Sequence, residues 1–240
     1  AFPDFQPKVE DFLKLITVRY LRKKKLIYNF DISNIEKKLI ELRNSAAEFI
    51  DEAAERILNQ NPKIIGSAAM FQQMTASIAL FKKIKEKSPF IKTILGGSQS
   101  EGIMGLTAVK NFECVDYVIS GEAESAFPEL CKILLENPYP NDAELPYGVL
   151  NKNLAVAPET ISEPPRIFIN NLDDSPVPDF SDYFQTLNNR SFKNKVKSAL
   201  LFESARGCLR FDNSLCRFCA ETGSANKYRL KSPSRIINEF

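Results

Sequence analysis

The sequence predicts an α/β fold: a doubly wound parallel sheet with helices on both faces, followed by a second unit that starts near residue 197. Two observations predict the sheet. Short apolar segments alternate with segments of helical periodicity, and glycine or proline closes many of them. Strands that read as continuous apolar runs belong to sheets covered on both sides. A third observation divides the chain, because prolines concentrate after Asn137.

Taken in order, "VEDFLKLITVRYLRKK" carries a helical stripe through Phe12, Leu15, Ile16 and Tyr20, and "KKLIYNFDI" reads as a strand. In "AEFIDEAAERIL", Phe49, Ile50, Ala53, Ile57 and Leu58 fall on one helical face. "PKIIGSAA" is a short apolar strand. The next helix, "MTASIALFKKIKEK", has Met74, Ile78, Phe81 and Ile84 as its stripe and stops at Ser88-Pro89. "FIKTILGG" is a second strand of the series, the Gly-punctuated "SQSEGIMGLTAVKNF" holds a helix, "VDYVIS" is a third strand, and "ESAFPELCKILLEN" a further helix. The prolines of "PYPNDAELPYG" and "SEPPRIFINNLDDSPVPDF" read as a linker with a small hairpin. Regular structure resumes at "KSALLFESARGC", a strand running into a cysteine loop. "SPSRIINEF" then begins a helix, with Ser232 as N-cap, Pro233 at the first helical position and Ile236, Ile237 and Phe240 as its apolar face. The organisation expected is an α/β domain over 1–137, a Pro-rich linker over 138–196 and the start of a second domain over 197–240. The chain opens on Ala1 rather than Met and ends within the last helix, so it reads as a segment of a longer protein.

Composition narrows the function. The 240 residues are 44% hydrophobic and 26% charged, an ordinary globular balance. A net charge of +2 gives no electrostatic reason to expect nucleic acid or an anionic membrane as partner. With no apolar run of spanning length and no signal-peptide pattern, the expected location is the cytoplasm, where thiols stay reduced and clustered cysteines read as metal-binding or catalytic. There is no histidine at all, which removes His-based acid–base catalysis and every His-containing metal site.

Three of the five cysteines, Cys208, Cys216 and Cys219, are spaced C-x7-C-x2-C. A structural zinc site needs four ligands, and without histidine the fourth would have to be Asp, Glu, Cys114 or Cys131. Cys131 lies on its helix's apolar stripe with Phe127 and Leu134, and Cys114 precedes a buried strand, so both read as core. A [4Fe–4S] cluster is normally held by four cysteines; held by three, it leaves one iron open to a small molecule. Spacing alone leaves zinc, a reduced unligated cluster and the iron–sulfur cluster all open.

The surrounding segments resemble a known family. "ESARGC", "CLRFDNSLCRFC" and "KSPSRIINEF" are similar to the strand end, C-x7-C-x2-C loop and helix start of cobalamin-dependent radical S-adenosylmethionine (SAM) proteins of the type that matures ribosomally made, modified peptides (RiPPs). "IIGSAAMFQQMTASIALFKKIKEKSPFIKTILGGSQSEGIMG" and "VDYVISGEAES" resemble that family's cobalamin-binding, Rossmann-like domain, and "NNLDDSPVPDFSDYF" its interdomain linker. The resemblance runs from about residue 45 to the end. Leu209, Arg210 and Phe211 replace the tryptophans and glycine usual after the first cysteine, and "AETG" follows the last where the family has a G-L-N-G-like run.

The resemblance implies a cobalamin-binding domain followed by the first part of a radical SAM (βα) partial barrel. Cys208, Cys216 and Cys219 would hold a [4Fe–4S] cluster whose open iron chelates SAM, and Phe218 would pack beside cluster and adenine; Arg206 and Glu203 are functional or structural. Cobalamin would lie along the carboxyl ends of the strands, near Ser67, Gln72, Gly96, Gly97, Gly121 and Glu122, each of which also has a plain reading as turn chemistry. With no histidine available, the lower face of cobalt would meet water, another side chain or nothing. The implied activity is modification, chiefly C-methylation, of a peptide precursor, with an electron-donor protein as partner. Alternatives are a cobalamin radical SAM reaction on a non-peptide substrate, and a non-catalytic cobalamin or flavin-like binding module with a structural zinc loop. A thioredoxin-like reading of C-R-F-C has no supporting residues.

Overall fold

A computed structural model describes residues 32–156, 164–210 and 227–239. The helix expected from residue 9 and, but for Ile32, the strand expected from residue 24 lie outside the described residues. Helix α1 (Ile32–Leu58) leads into the sheet and buries Ala54, with Ile57 and Leu58 packed on the core beside it. Phe49 does not share that face and is 66% exposed; five residues before Ala54, it lies about 140° round the helix.

The expected alternation then forms. Strands β1 (Ile64–Ala68), β2 (Lys92–Gly96) and β3 (Tyr117–Ile119) are joined through α2 (Gln73–Lys87) and α3 (Gly102–Asn111), and α4 (Ala126–Glu136) follows β3. The three strands are parallel, with Gly66 beside Ile94 and Ile94 beside Tyr117. A fourth strand, β4 (Val149–Asn151), pairs antiparallel with β3 from within the stretch that reads as linker, and α5 (Lys152–Val156) follows it. The order among the described strands is β1-β2-β3-β4, without the reversal that marks a switch point.

Period-two alternation sends side chains to two cores. Ile65, Leu95, Val118 and Leu150 face Phe81 and Ile84 of α2 and Ala108 and Val109 of α3, while Ile94, Tyr117, Ile119 and Val149 face Ala126, Leu130 and Leu134 of α4. Both β-α-β crossovers reach the same face because right-handed connections between strands laid down in one direction must do so. α4, whose following strand is antiparallel and so outside that constraint, lies on the opposite face. Cys114 and Cys131 are partly buried against the two cores, and burial pushes both thiols up from the ordinary value. At the amino end of the sheet, Asp116 accepts from the Thr93 amide at 2.8 Å and pairs with Lys85 at 2.6 Å, sealing that edge.

From residue 164 a strap runs to the carboxyl edge of the sheet. There Ile167 takes over from β4 as partner of β3's extension: its amide donates to the Ser120 carbonyl and its carbonyl accepts from the Glu122 amide, each at 2.9 Å. A turn at Leu172–Asp174 with Leu172 fully buried, then α6 (Ser181–Asn188), lead to β5 (Ala205–Arg206), which pairs antiparallel with β6 (Arg229–Leu230); α7 (Pro233–Glu239) closes the described chain. The strand expected over "KSALLFESARGC" is thus confined to two residues, and its one described partner is antiparallel, not the parallel neighbour of a barrel start. A parallel strand needs cover on both faces, and Leu200 and Leu201 are exposed. The Ser232 cap forms as expected, its hydroxyl accepting from the Arg235 amide at 3.1 Å, while Ile237 is exposed and Phe240 lies outside the described residues. No helix among the described residues is long and apolar enough to cross a membrane.

Candidate functional site

The carboxyl edge of the parallel strands carries three loops, at residues 69–72, 97–101 and 120–125. They are tied together by short bonds. The Ala69 amide donates to the Gly96 carbonyl at 2.6 Å, the Gln99 amide to the Ala69 carbonyl at 3.2 Å and the Gly102 amide to Ser120 Oγ at 2.9 Å, and Arg166 of the strap pairs with Glu101.

Above β1 and β2 no described residue covers this edge. Gly66 and Ala68 are exposed although they lie in a strand, and Ala68 stands beside Gly96. Among the described residues, a Cβ placed on Gly96 would meet nothing within 4 Å, and one on Gly66 would meet the Phe127 ring at 3.4 Å and the Ile94 carbonyl at 3.9 Å, ordinary van der Waals distances. Glycines at exposed strand positions leave room for another molecule's close approach. Gly66, Ala68 and Gly96 therefore form a shelf on the face that α4 covers elsewhere, with Phe127 as its wall. An aromatic wall over a floor with no side chain larger than a methyl suits a large flat ligand, and in this respect the residues fit cobalamin.

The other residues named for this edge are placed differently. Ser67 points to the opposite face, 2.7 Å from Ser77 Oγ. Ser77 donates its only hydroxyl proton to the Gln73 carbonyl, so Ser67 is the donor between them and keeps only acceptor capacity. Gln72 is exposed in the loop before α2, next to Phe71, which is 80% exposed at φ 48°. Gly97 (φ 93°) and Gly121 (φ 108°) are glycines because the chain's own backbone approaches them: a Cβ would stand 2.6 Å from the Ala69 oxygen and 2.2 Å from the Ile167 oxygen.

Glu122 is the centre of an ion network. Its carboxylate accepts from Arg229 Nη2 at 2.6 Å and Nη1 at 2.9 Å and from the Ile169 amide at 2.7 Å, and lies 3.3 Å from Arg206. Arg206 also pairs with Glu124 at 2.5 Å and Glu203 at 2.8 Å. Burial pushes the Glu122 carboxyl up, but Arg229, the Ile169 amide and Arg206 outweigh it and hold the group below the usual carboxylate range. Hydrogen bonds to Glu203 and Glu124 hold the Arg206 guanidinium charged more firmly than usual.

Cys208 follows two residues after Arg206 and is exposed. Cys216, Phe218 and Cys219 lie outside the described residues, and among the described ones no three metal-ligating side chains meet. Arg229 and Glu124 are participants that sequence reasoning did not single out. Nothing in "KYRLKS" marks Arg229, and its carboxylate partner is 107 residues away.

The chain is similar to two curated proteins. One, named as an uncharacterized methyltransferase from Pyrococcus horikoshii, is 27% identical over 190 residues, covering 79% of this chain and 38% of that protein. The other, the anaerobic magnesium-protoporphyrin IX monomethyl ester cyclase of Rubrivivax gelatinosus, is 24% identical over 199 residues, covering 79% of this chain and 32% of that protein. The chain thus spans about a third of the length of the curated relatives it matches. No family model and no solved structure matches it.

Proposed function

We propose that this chain is part of a cobalamin-dependent radical SAM enzyme that modifies, chiefly by C-methylation, a ribosomally made peptide, with an electron-donor protein as partner. The observation that carries the reading is a juxtaposition. The hairpin bearing Cys208 is held by Glu122 on the same sheet edge where Gly66, Ala68 and Gly96 form a shelf that no described residue covers. The names of the relatives, one a methyltransferase and one an anaerobic enzyme, are compatible with methyl transfer that depends on an oxygen-labile cluster.

Cys208, Cys216 and Cys219 would hold the cluster and Phe218 would lie against it. Gly66, Ala68 and Gly96 would accept cobalamin against Phe127, with Met70, Phe71 and Gln72 as the neighbours a chain without histidine can offer. When bound, the cluster supplies the electron that cleaves SAM, and cobalamin carries the methyl group. The protein's part is to orient both groups and to keep water from the reacting atoms. A second reading, the same chemistry on a non-peptide substrate, is favoured by the cyclase, whose named substrate is a porphyrin ester.

Titrating the chain with hydroxocobalamin while following visible absorption tests the shelf. Saturable binding that Gly96→Val abolishes supports the reading, and absence of binding to the unaltered chain contradicts it. Isotope-labelled SAM supplied with peptide or with porphyrin ester separates the two substrates, according to which one gains the label.

A further inference from the structure

We propose that Glu122 is a positioning residue, whose carboxylate, gripped by Arg206 and Arg229, fixes the Cys208 hairpin on the carboxyl edge of the sheet and so sets the separation between Cys208 and the shelf. The inference rests on the reading above for its purpose, but the clamp itself stands on contacts alone.

The clamp joins three pieces of chain that are remote in sequence. Arg206 belongs to β5, Arg229 to β6, and the Ile169 amide to the strap, and all converge on the one carboxylate. The side chains are largely withdrawn from water, at 10% exposure for Arg229, 17% for Glu122 and 20% for Arg206. Charged hydrogen bonds in such surroundings are stronger and geometrically stricter than surface pairs, and the forked Arg229 contact adds direction. Arg206 precedes Cys208 by two residues, a backbone reach of at most about 7 Å, so holding one confines the other.

A second attachment is separate. Asp173 accepts from the Ser232 amide at 2.8 Å and Arg235 donates to the Ser175 carbonyl, so α7 is docked on the strap without Glu122. Loss of Glu122 therefore loosens the hairpin, which keeps only the Arg206–Glu124 pair and the Arg229 bond to the Ile169 carbonyl as described ties to this edge, while α7 stays. The amide of Lys231, which donates to the Ser204 carbonyl at 3.0 Å, reports on the hairpin itself. A residue with only a general structural role would loosen both attachments together.

The test compares the full chain with its Glu122→Gln and Arg229→Lys variants by amide hydrogen exchange, alongside hydroxocobalamin binding and iron content after reconstitution. Removing the charge is expected to speed exchange over 204–206 and 229–231 by about tenfold or more, and Arg229→Lys, which keeps the charge but loses the fork, by less. Amides of β1 to β3 and of α7 should keep their rates, and cobalamin affinity and iron content should stay within about twofold. Unchanged exchange in the hairpin overturns the clamp. A large loss of cobalamin affinity with hairpin exchange unchanged makes Glu122 a ligand and equally overturns it. If Glu122→Gln does not fold, the Arg229→Lys pattern decides: faster exchange confined to the hairpin supports the clamp, and uniform or absent change overturns it. Failure of the unaltered chain to bind cobalamin or iron sinks the enzymatic reading and leaves the exchange result to judge the clamp.

Discussion

Replacing Gly121 by alanine probes the strap where it meets the sheet, and its cost can be worked out contact by contact. The new Cβ would stand 2.2 Å from the Ile167 oxygen and 2.8 Å from its nitrogen, both backbone atoms that cannot rotate away. The strap must shift, and its two 2.9 Å bonds to Ser120 and Glu122 go with it. At about 1 kcal/mol net for each bond, that is about 2 kcal/mol. An L-residue held at φ 108° adds strain of about 1–2 kcal/mol. The expected loss is about 3–4 kcal/mol, a large part of the roughly 5–15 kcal/mol that typically separates folded from unfolded states. Urea denaturation should show the midpoint falling by about 1–2 M at unchanged slope. A loss below about 1 kcal/mol, with the Ile167 amide still protected from exchange, would refute the claim that the chain's own backbone fills the space over Gly121.

Gly96 should behave in the opposite way. Its Cβ space is empty, so Gly96→Ala should leave stability unchanged or raise it by up to about 1 kcal/mol, whereas Gly96→Val should remove hydroxocobalamin binding in a protein whose urea midpoint is unaltered. Phe81→Ala, at the fully buried centre of the core shared by α1, α2 and α3, should cost about 3–5 kcal/mol in the same denaturation assay. Acid should release the clamp. Glu122, facing Arg206, Arg229 and the like charge of Glu124, has a carboxyl lower in the folded than in the unfolded chain. Its stabilisation is therefore fully present above the unfolded value of about 4.3 and lost as pH falls through the folded one. The difference in urea midpoint between the protein and Glu122→Gln should be constant from neutral pH down to about 5 and shrink below about 4.

The parallel strands were legible because each is a short apolar run stopped by glycine, proline or a polar turn, and α2 because its stripe repeats at helical spacing. β4 was not, since three residues between Gly148 and Lys152 carry no periodicity; what makes "VLN" a strand is the free edge of β3. Phe49 was misplaced because two adjoining helical faces both contain apolar residues and only packing chooses between them. The glycines at the carboxyl edge were legible as points of close approach, but the sequence does not say what approaches. At Gly97 and Gly121 it is Ala69 and Ile167, and at Gly96 nothing among the described residues. Glu122 stood out as the polar end of a βα turn, yet its partners are separated from it by 84 and 107 residues, a pairing that only the folded chain displays.

In the proposed function Cys208, Cys216 and Cys219 hold an iron–sulfur cluster. The most direct test of this is metal content and electron paramagnetic resonance after anaerobic reconstitution with iron and sulfide. The expected result is about four irons per chain, and a reduced-cluster signal that SAM perturbs and that disappears in Cys216→Ala. One tightly bound zinc with no cluster signal would contradict it and favour a binding module with a structural metal loop.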